Sequence, residues 1–382
     1  MSNNYEILKD FDTPNSVYNV KRTRLPVDEK DIAATLIDLG RQHFINCDYK
    51  LARLSFEESL RILNHYSEVD KFDLNQKIGR TYELEENFDL ALHYYNESLK
   101  VLNEITPKRH LDIASLTKSI ADVYSKRRES RAALNMYDKS LNNLKEVLPN
   151  DHARFGEIQN NMANEYSAQC QYLKALELYF SSLKIKTKAS SLNLSSIAGT
   201  LNNLANVYDG LGYYDLAIKY YAISLQLMEN SLSKNHINKA ITLFNIGNTL
   251  INIKNFDAGL EHFYESLKLF SDNLPSNNPM IADCIKNIAS VYARQGENDL
   301  ALKYYDECLW RYKEKFSLKH PCIGEIYFNV GLAYESIKKF SRALKYLNKG
   351  LEIFKENFPL DHLNVVKTLE TIALVEKKLA LE

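Results

Sequence analysis

The chain has no run of 18 apolar residues, which excludes a membrane-spanning helix. Among its 382 residues there are five cysteines, eight prolines, 12 glycines and one tryptophan. The cysteines (Cys47, Cys170, Cys284, Cys308, Cys322) are odd in number and never spaced as CxxC. That excludes a paired disulfide frame and a zinc site, and reads as reduced, mostly structural thiols. So little proline and glycine leaves no room for long linkers or low-complexity segments. Neither sign of charge dominates: 48 basic residues face 49 acidic ones, a net charge of -1, too little to hold nucleic acid electrostatically. The start, "MSNNYEILKDFD", lacks the charged-then-apolar order of a signal peptide, so a cytoplasmic protein is expected. The chain also has no GxxxxGK phosphate loop, no GxGxxG, no GxSxG and no HExxH. Adjacent glutamates such as Glu57/Glu58 and Glu85/Glu86 point apart and cannot share a proton. A chain that is not an enzyme, with no cofactor and no metal, is the expectation.

What the chain does have is repetition. The small residue behind the last large apolar position of each first helix recurs as Gly40, Gly79, Ala121, Ala163, Ala205, Gly247, Ala289, Gly331 and Ala373. The steps are 39 and then seven times 42. A second small column follows 12 positions later: Ala52, Ala91, Ala133, Ala175, Ala217, Gly259, Ala301, Ala343. Four further on stand Phe56, Tyr95, Tyr137, Tyr179, Tyr221, Phe263, Tyr305 and Leu347. Three beyond those come Ser59, Ser98, Ser140, Ser182, Ser224, Ser266, Cys308 and Gly350. Small residues let paired helices approach, an aromatic fills the wedge between them, and spacings of three and four keep them on one face.

This is the tetratricopeptide pattern, small–x3–aromatic, with a turn near Gly210 and Gly212 between helix A and helix B. A single hairpin cannot bury its own face, so neighbours stack. The prediction is an all-α solenoid: a right-handed superhelix of eight hairpins over residues 31–382, ending in a ninth A helix near 362–380 that caps the open end. Residues 1–30 form an extension without an assigned function, whose Tyr5, Ile7, Leu8 and Phe11 can form a short helix over the first repeat.

The connections are patterned too: "LPNDH", "LSKNH", "FSLKHP" and "FPLDH" precede successive A helices. Together with the 42-residue period and "LNNLA…Y" in helix A, they resemble the repeat domain of kinesin light chains over roughly residues 31–382. The 30 residues ahead of the array leave no room for the heptad coiled coil by which kinesin light chains bind their motor. The resemblance therefore implies the peptide-binding domain rather than the motor-binding part.

The in-phase histidines, His110, His152, His236, His320 and His362, occur once per repeat and cannot converge on one ion, so helix capping or loop anchoring is expected of them. Trp310 is expected to pack, and "KRR" at 126–128 to be a solvated patch at a turn.

One polar column stands out. Two positions before the first small column are Asn161, Asn203, Asn245, Asn287 and Asn329, and one position after it are Asn164, Asn206 and Asn248. The two sets lie three apart, on one face of each A helix. Asparagine forms helix poorly, so a ladder of it needs a reason. Either each amide bridges to a backbone carbonyl of the next repeat and sets the stacking register, or the amides offer donors and acceptors to an extended peptide. The kinesin light chain resemblance implies the second, because the matching asparagines there contact cargo backbone. The Asn164 position is held in earlier repeats by Arg41, Arg80 and Asp122, the last four after Lys118, and in later ones by Ser290 and Leu332, the last four after Phe328. A ligand acidic at one end and apolar at the other suits that gradient.

The expected function is a non-enzymatic scaffold or adaptor that binds an extended peptide segment of a partner in its concave groove. The alternative is a regulatory peptide sensor whose array controls a partner enzyme or signalling protein; an accessory half of an enzyme is the third class. The expected partner is a protein or peptide, a motor or a signalling protein among them, with no nucleic acid and no membrane insertion.

Overall fold

The computed structural model describes residues 29–63, 68–105, 107–189, 192–231 and 236–381. The short helix expected near Tyr5–Phe11 lies outside them. The chain divides at residues 191/192 into two compact units. The first holds α1 (Glu29–Ile45), α2 (Tyr49–Leu63), α3 (Glu68–Leu84), α4 (Phe88–Glu104), α5 (His110–Lys126), α6 (Ser130–Lys145), α7 (Ala153–Ala168) and α8 (Tyr172–Lys188). The second holds α9 (Leu194–Gly210), α10 (Tyr214–Ser231), α11 (Ile237–Asn252), α12 (Phe256–Asn273), α13 (Pro279–Gln295), α14 (Asn298–Lys315), α15 (Pro321–Ser336), α16 (Phe340–Asn357) and α17 (Leu363–Leu379). No strand occurs among the described residues. Odd-numbered helices are the A helices and even-numbered ones the B helices. Each unit has four hairpins, and the second adds α17.

In the first seven hairpins the small residue of the first column lies under the aromatic 16 positions on, and in the eighth Gly331 lies under Leu347. A Cβ added to Gly40 would come 2.6 Å from the Phe56 ring, one on Gly79 2.7 Å from Tyr95 and one on Gly247 2.7 Å from Phe263. Where alanine holds the column instead, in Ala121, Ala163, Ala205 and Ala289, the facing ring is a buried tyrosine, Tyr137, Tyr179, Tyr221 or Tyr305. The core therefore runs along the inside of each hairpin stack, with one ring in each of the first seven repeats and Leu347 in the eighth.

The serine column does more than stay small. Ser98, Ser140, Ser182, Ser224 and Ser266 donate to the carbonyl oxygens of Phe72, Ala114, Gly156, Ala198 and Ala240, at 2.6–2.8 Å, and Ser59 donates to Ala33 at 3.1 Å. Cys308 takes the same role with Ala282, at 3.1 Å. Each acceptor is 26 residues back, in the paired A helix. Ser224→Ala should thus cost about 0.5–1.5 kcal/mol, read by urea unfolding. Ser224→Cys, which keeps a weak donor, should cost less.

The turn inside each hairpin is uniform. Cys47, Glu86, Arg128, Cys170, Gly212, Lys254, Gly296 and Lys338, each seven past the small column, all have a left-handed backbone. The residue after each donates its N–H to a carbonyl five back, as in Asp48 to His43 and Tyr213 to Tyr208, both at 2.9 Å, which closes the A helix in a Schellman turn.

Helix α17 buries Val365, Thr368, Ile372 and Val375, the three apolar ones in a cluster with Phe328, Leu347, Leu351 and Phe354. Its small-column residue, Ala373, is exposed, for no B helix follows it among the described residues.

Candidate functional site

The asparagine ladder forms a bonded lattice on the A-helix face. Asn161 Nδ2 in α7 donates to Asp122 Oδ1 in α5 at 3.1 Å. The same oxygen accepts the Tyr137 hydroxyl from α6 at 2.6 Å, and Lys118 pairs with the other carboxylate oxygen at 2.8 Å. In the second unit Asn245 Nδ2 donates to Asn206 Oδ1 at 3.1 Å, which also accepts the Tyr221 hydroxyl at 2.5 Å. Asn287 Nδ2 reaches Asn248 Oδ1 at 2.7 Å. The Tyr179 hydroxyl donates to Asn164 Oδ1 at 2.6 Å. In the Asp122 and Asn206 cases one side-chain oxygen thus ties its own B helix and the next A helix together. The acceptors are side-chain oxygens, not the backbone carbonyls expected of stacking struts. Asn203 is half-buried at the same position of α9.

In the first unit this lattice opens onto a cavity of about 320 Å³ lined by Arg80, Glu83, Asp122, Ser125, Lys126, Tyr137, Asn161 and Asn164. Its floor is the Glu83 carboxylate, whose side chain is only 1% exposed. Arg80 at 2.8 Å, Lys126 at 2.7 Å and the Tyr95 hydroxyl at 2.8 Å all bond to it. Burial alone would push this carboxyl up, yet Lys126, Tyr95 and Arg80 together hold it below the usual carboxylate range. Burial, with Asp122 as acceptor, pushes the Tyr137 phenol well above its ordinary value. Arg80 and Lys126 are half-exposed around this fixed negative charge, and with Asp122 also in the lining two cations and two carboxylates meet at the cavity.

Of the residues expected at the site, Arg80, Asn161 and Asn164 meet at this cavity. Arg41 does not line it; it pairs with Asp38 at 2.9 Å on the surface of α1. Asn329 lines a separate cavity of about 200 Å³ with Glu325, Phe328, Asn364 and Lys367. There Lys367 Nζ lies 5.3 Å from the centre of the Phe328 ring. At 8% exposure Phe328 is core, so the apolar end presents Leu332 without it.

Lys126 and Glu83 were not expected here. Lys126 belongs to the "KRR" run read as a solvated patch, and the structure turns it into the groove. Its neighbour Arg127 pairs outward with Asp89 and Glu129. A signal was present, because Glu335 and Lys378 hold the same two column positions 43 residues apart and pair as well. Trp310, expected to pack, is 53% exposed on α14. A second tyrosine column, three past the small one, stacks on the B helix: Tyr82 on Tyr94, Tyr208 on Tyr220, Tyr292 on Tyr304 and Tyr334 on Tyr346, with ring centres 5.4–5.6 Å apart.

Four histidines cap helices. Nδ1 of His152, His236, His320 and His362 accepts the backbone N–H two residues on, at 3.1–3.3 Å. Asn278 does the same where histidine is missing. His110 departs from the pattern: it is the first residue of α5 and bonds to Asn143 of α6 at 3.1 Å. Among the described residues no helix is long and apolar enough to cross a membrane.

The tetratricopeptide repeat family matches at residues 72–146, 196–272 and 281–356, together more than half of the chain. The structure is similar to the apo form of the quorum sensor NprR from B. thuringiensis, at 17% identity and a TM-score of 0.69, covering 89% of this chain and 92% of that one. It is also similar to the apo form of RapI, at 16% identity and a TM-score of 0.56, covering 74% and 97%. Repeats of a putative kinesin light chain from Podosopora anserina match at 16% identity and a TM-score of 0.48, covering 55% and 98%. Likeness at this level of identity shows the fold alone. No curated protein is a significant sequence match.

Proposed function

We propose a function for this chain, which belongs to the tetratricopeptide repeat family: a non-enzymatic scaffold that holds an extended peptide segment of a partner along its A-helix face. The reading rests on the 320 Å³ cavity, where α3, α5 and α7 set the cations Arg80 and Lys126 beside the amides Asn161 and Asn164. An extended peptide carries unpaired N–H and C=O groups, and a carboxamide can serve both. The cations next to the amides give an acidic side chain of the ligand its place. The partner class is therefore a protein with an extended, acidic segment, and the array acts as its adaptor.

A sensor reading has its own support. The amides a peptide would engage are the ones that bond repeat to repeat, as in Asn245 to Asn206 and Asn287 to Asn248. A ligand that takes an amide exchanges a bond between repeats for one to itself, and so couples occupancy to repeat spacing. Control of a partner enzyme or signalling protein would follow from that coupling. The NprR likeness adds a shared fold and no more.

Selection of short random peptides on the full chain tests both readings. Binders rich in Asp and Glu are expected, weakened about tenfold by Lys126→Ala and weakened by added salt. Binders without acidic residues, indifferent to Lys126, would remove the cavity from the proposal.

A further inference from the structure

The positions eight and four before the first small column belong to the core in most A helices. Ile32 and Leu36 hold them in α1, Ile197 and Leu201 in α9, and Ile281 and Ile285 in α13, all buried. Helix α3 is the one A helix with polar residues at both, Lys71 and Asn75. Asn75 is only 8% exposed. Thr117, its counterpart in α5, spends its hydroxyl on the Ile113 and Ala114 carbonyls. Asn75 has no hydrogen-bond partner among the described residues. Its side chain instead lines a cavity of about 600 Å³, against about 320 Å³ for the A-helix cavity. A buried carboxamide without a partner costs free energy that an apolar residue would not, so its presence in a core column calls for a ligand.

The cavity lies between the B helices α2 and α4, with Lys71 and Asn75 of α3 in its lining. Its size is that of a small-ligand pocket, roughly 300–1,000 Å³. Leu60 of α2 and Tyr94 and Val101 of α4 give it apolar wall, and Tyr94 is held by stacking on Tyr82, ring centres 5.5 Å apart. Charge enters in equal amounts of both signs: Lys71 and Lys100 face Glu97 and Glu104. Lys100 stands one helical turn from each glutamate, yet neither is its ion-pair partner. We infer that this cavity binds a dipeptide with both termini free. A ligand of one sign meets like charge beside every partner, whereas a zwitterion meets opposite charge at each end. Side chains one turn apart on a helix are about 5–6 Å apart at Cβ, and two extended residues span at most about 7 Å. The ammonium group pairs with a glutamate of α4 and the carboxylate with Lys100 and Lys71. The peptide group between them lies against Asn75, whose carboxamide can donate to its carbonyl and accept from its N–H. The site shares no residue with the A-helix cavity and does not depend on the function proposed for it.

The probes are alanyl-alanine, valyl-alanine and leucyl-alanine, titrated into the full chain by calorimetry. At least one should give a saturable heat, and acetylating its amine or amidating its carboxyl should each weaken binding about tenfold or more. Asn75→Leu restores the residue that α1, α9 and α11 carry at this position, as Leu36, Leu201 and Leu243. It should abolish binding and raise the melting temperature, because it replaces an unbonded buried amide with an apolar side chain. Glu97→Gln combined with Glu104→Gln, both on the exposed side of α4, should weaken binding about tenfold at unchanged melting. That pair decides the matter even where leucine at position 75 disturbs packing. No saturable heat from any of the three dipeptides overturns the inference. So does binding that survives both the Asn75→Leu and the double glutamine variants, and so do blocked dipeptides that bind as tightly as the free ones.

Discussion

Phe263→Ala is expected to destabilise the second unit by about 3–5 kcal/mol. The ring is fully buried and lies over Gly247, with the Phe244 ring centre 5.7 Å away. Removing it leaves a hole whose floor is a glycine without a side chain to swing in, and the cost of such a truncation grows with the cavity that survives it. Repeats contact mainly their neighbours, so the damage stays near α11 to α14. Hydrogen exchange should show protection falling there while α1–α8 keep theirs. The reciprocal change sharpens the test. Gly247→Val alone sets its Cβ about 2.7 Å from the ring and destabilises by overpacking. In the Phe263→Ala background the same valine fills the hole and should recover part of the loss, a coupling that two independent sites do not show. A loss below about 1 kcal/mol for Phe263→Ala, far under the range for a buried ring, or equal deprotection of both units, would mean the ring column does not carry the core.

The repeat was legible because its packing rule is local and written in residue size. Gly40 under Phe56 and Ala205 under Tyr221 need no knowledge of the rest of the chain to be paired. The left-handed turns were nearly invisible, because only Gly212 and Gly296 of the eight carry glycine. The other six, from Cys47 to Lys338, adopt that backbone because the hydrogen bonds that close each helix outweigh the strain of a side chain there. The histidine caps could be read at His152, His236, His320 and His362, where the ring directly precedes the helix, but not at His110, which lies inside it. The groove was legible by face and not by bond. Columns three apart show that Asn203 and Asn206 share a side of α9, whereas the bond from Asn245 to Asn206 spans 39 residues and depends on how neighbouring hairpins stack. For the same reason Lys126 reads as one of three basic residues until α3 brings Glu83 beneath it.

Those bonds change what alanine should do at Asn203 and Asn206. From helix propensity alone the double replacement would leave folding nearly untouched, because alanine is the better helix former. In the structure, however, Asn206 Oδ1 accepts from Tyr221 at 2.5 Å and from Asn245 at 3.1 Å, and the Tyr221 ring beneath is buried. Loss of that oxygen strands a phenol, at a cost of about 1–3 kcal/mol. Tyr221→Phe removes the same bond from the other end, so in the phenylalanine background Asn206→Ala should cost markedly less than in the parent. Peptide affinity follows a different logic. If Asn203 and Asn206 hold a ligand's backbone, each amide contributes roughly 0.5–1.5 kcal/mol, and the double replacement weakens binding by about one to two orders of magnitude. That loss should persist with Tyr221→Phe, whose hydroxyl is spent inside the fold. Melting temperature and affinity for a selected peptide, measured across this cycle, separate the two roles. A stability loss that disappears with the hydroxyl, at unchanged affinity in both backgrounds, would make these asparagines struts between hairpins and move the ligand elsewhere along the array.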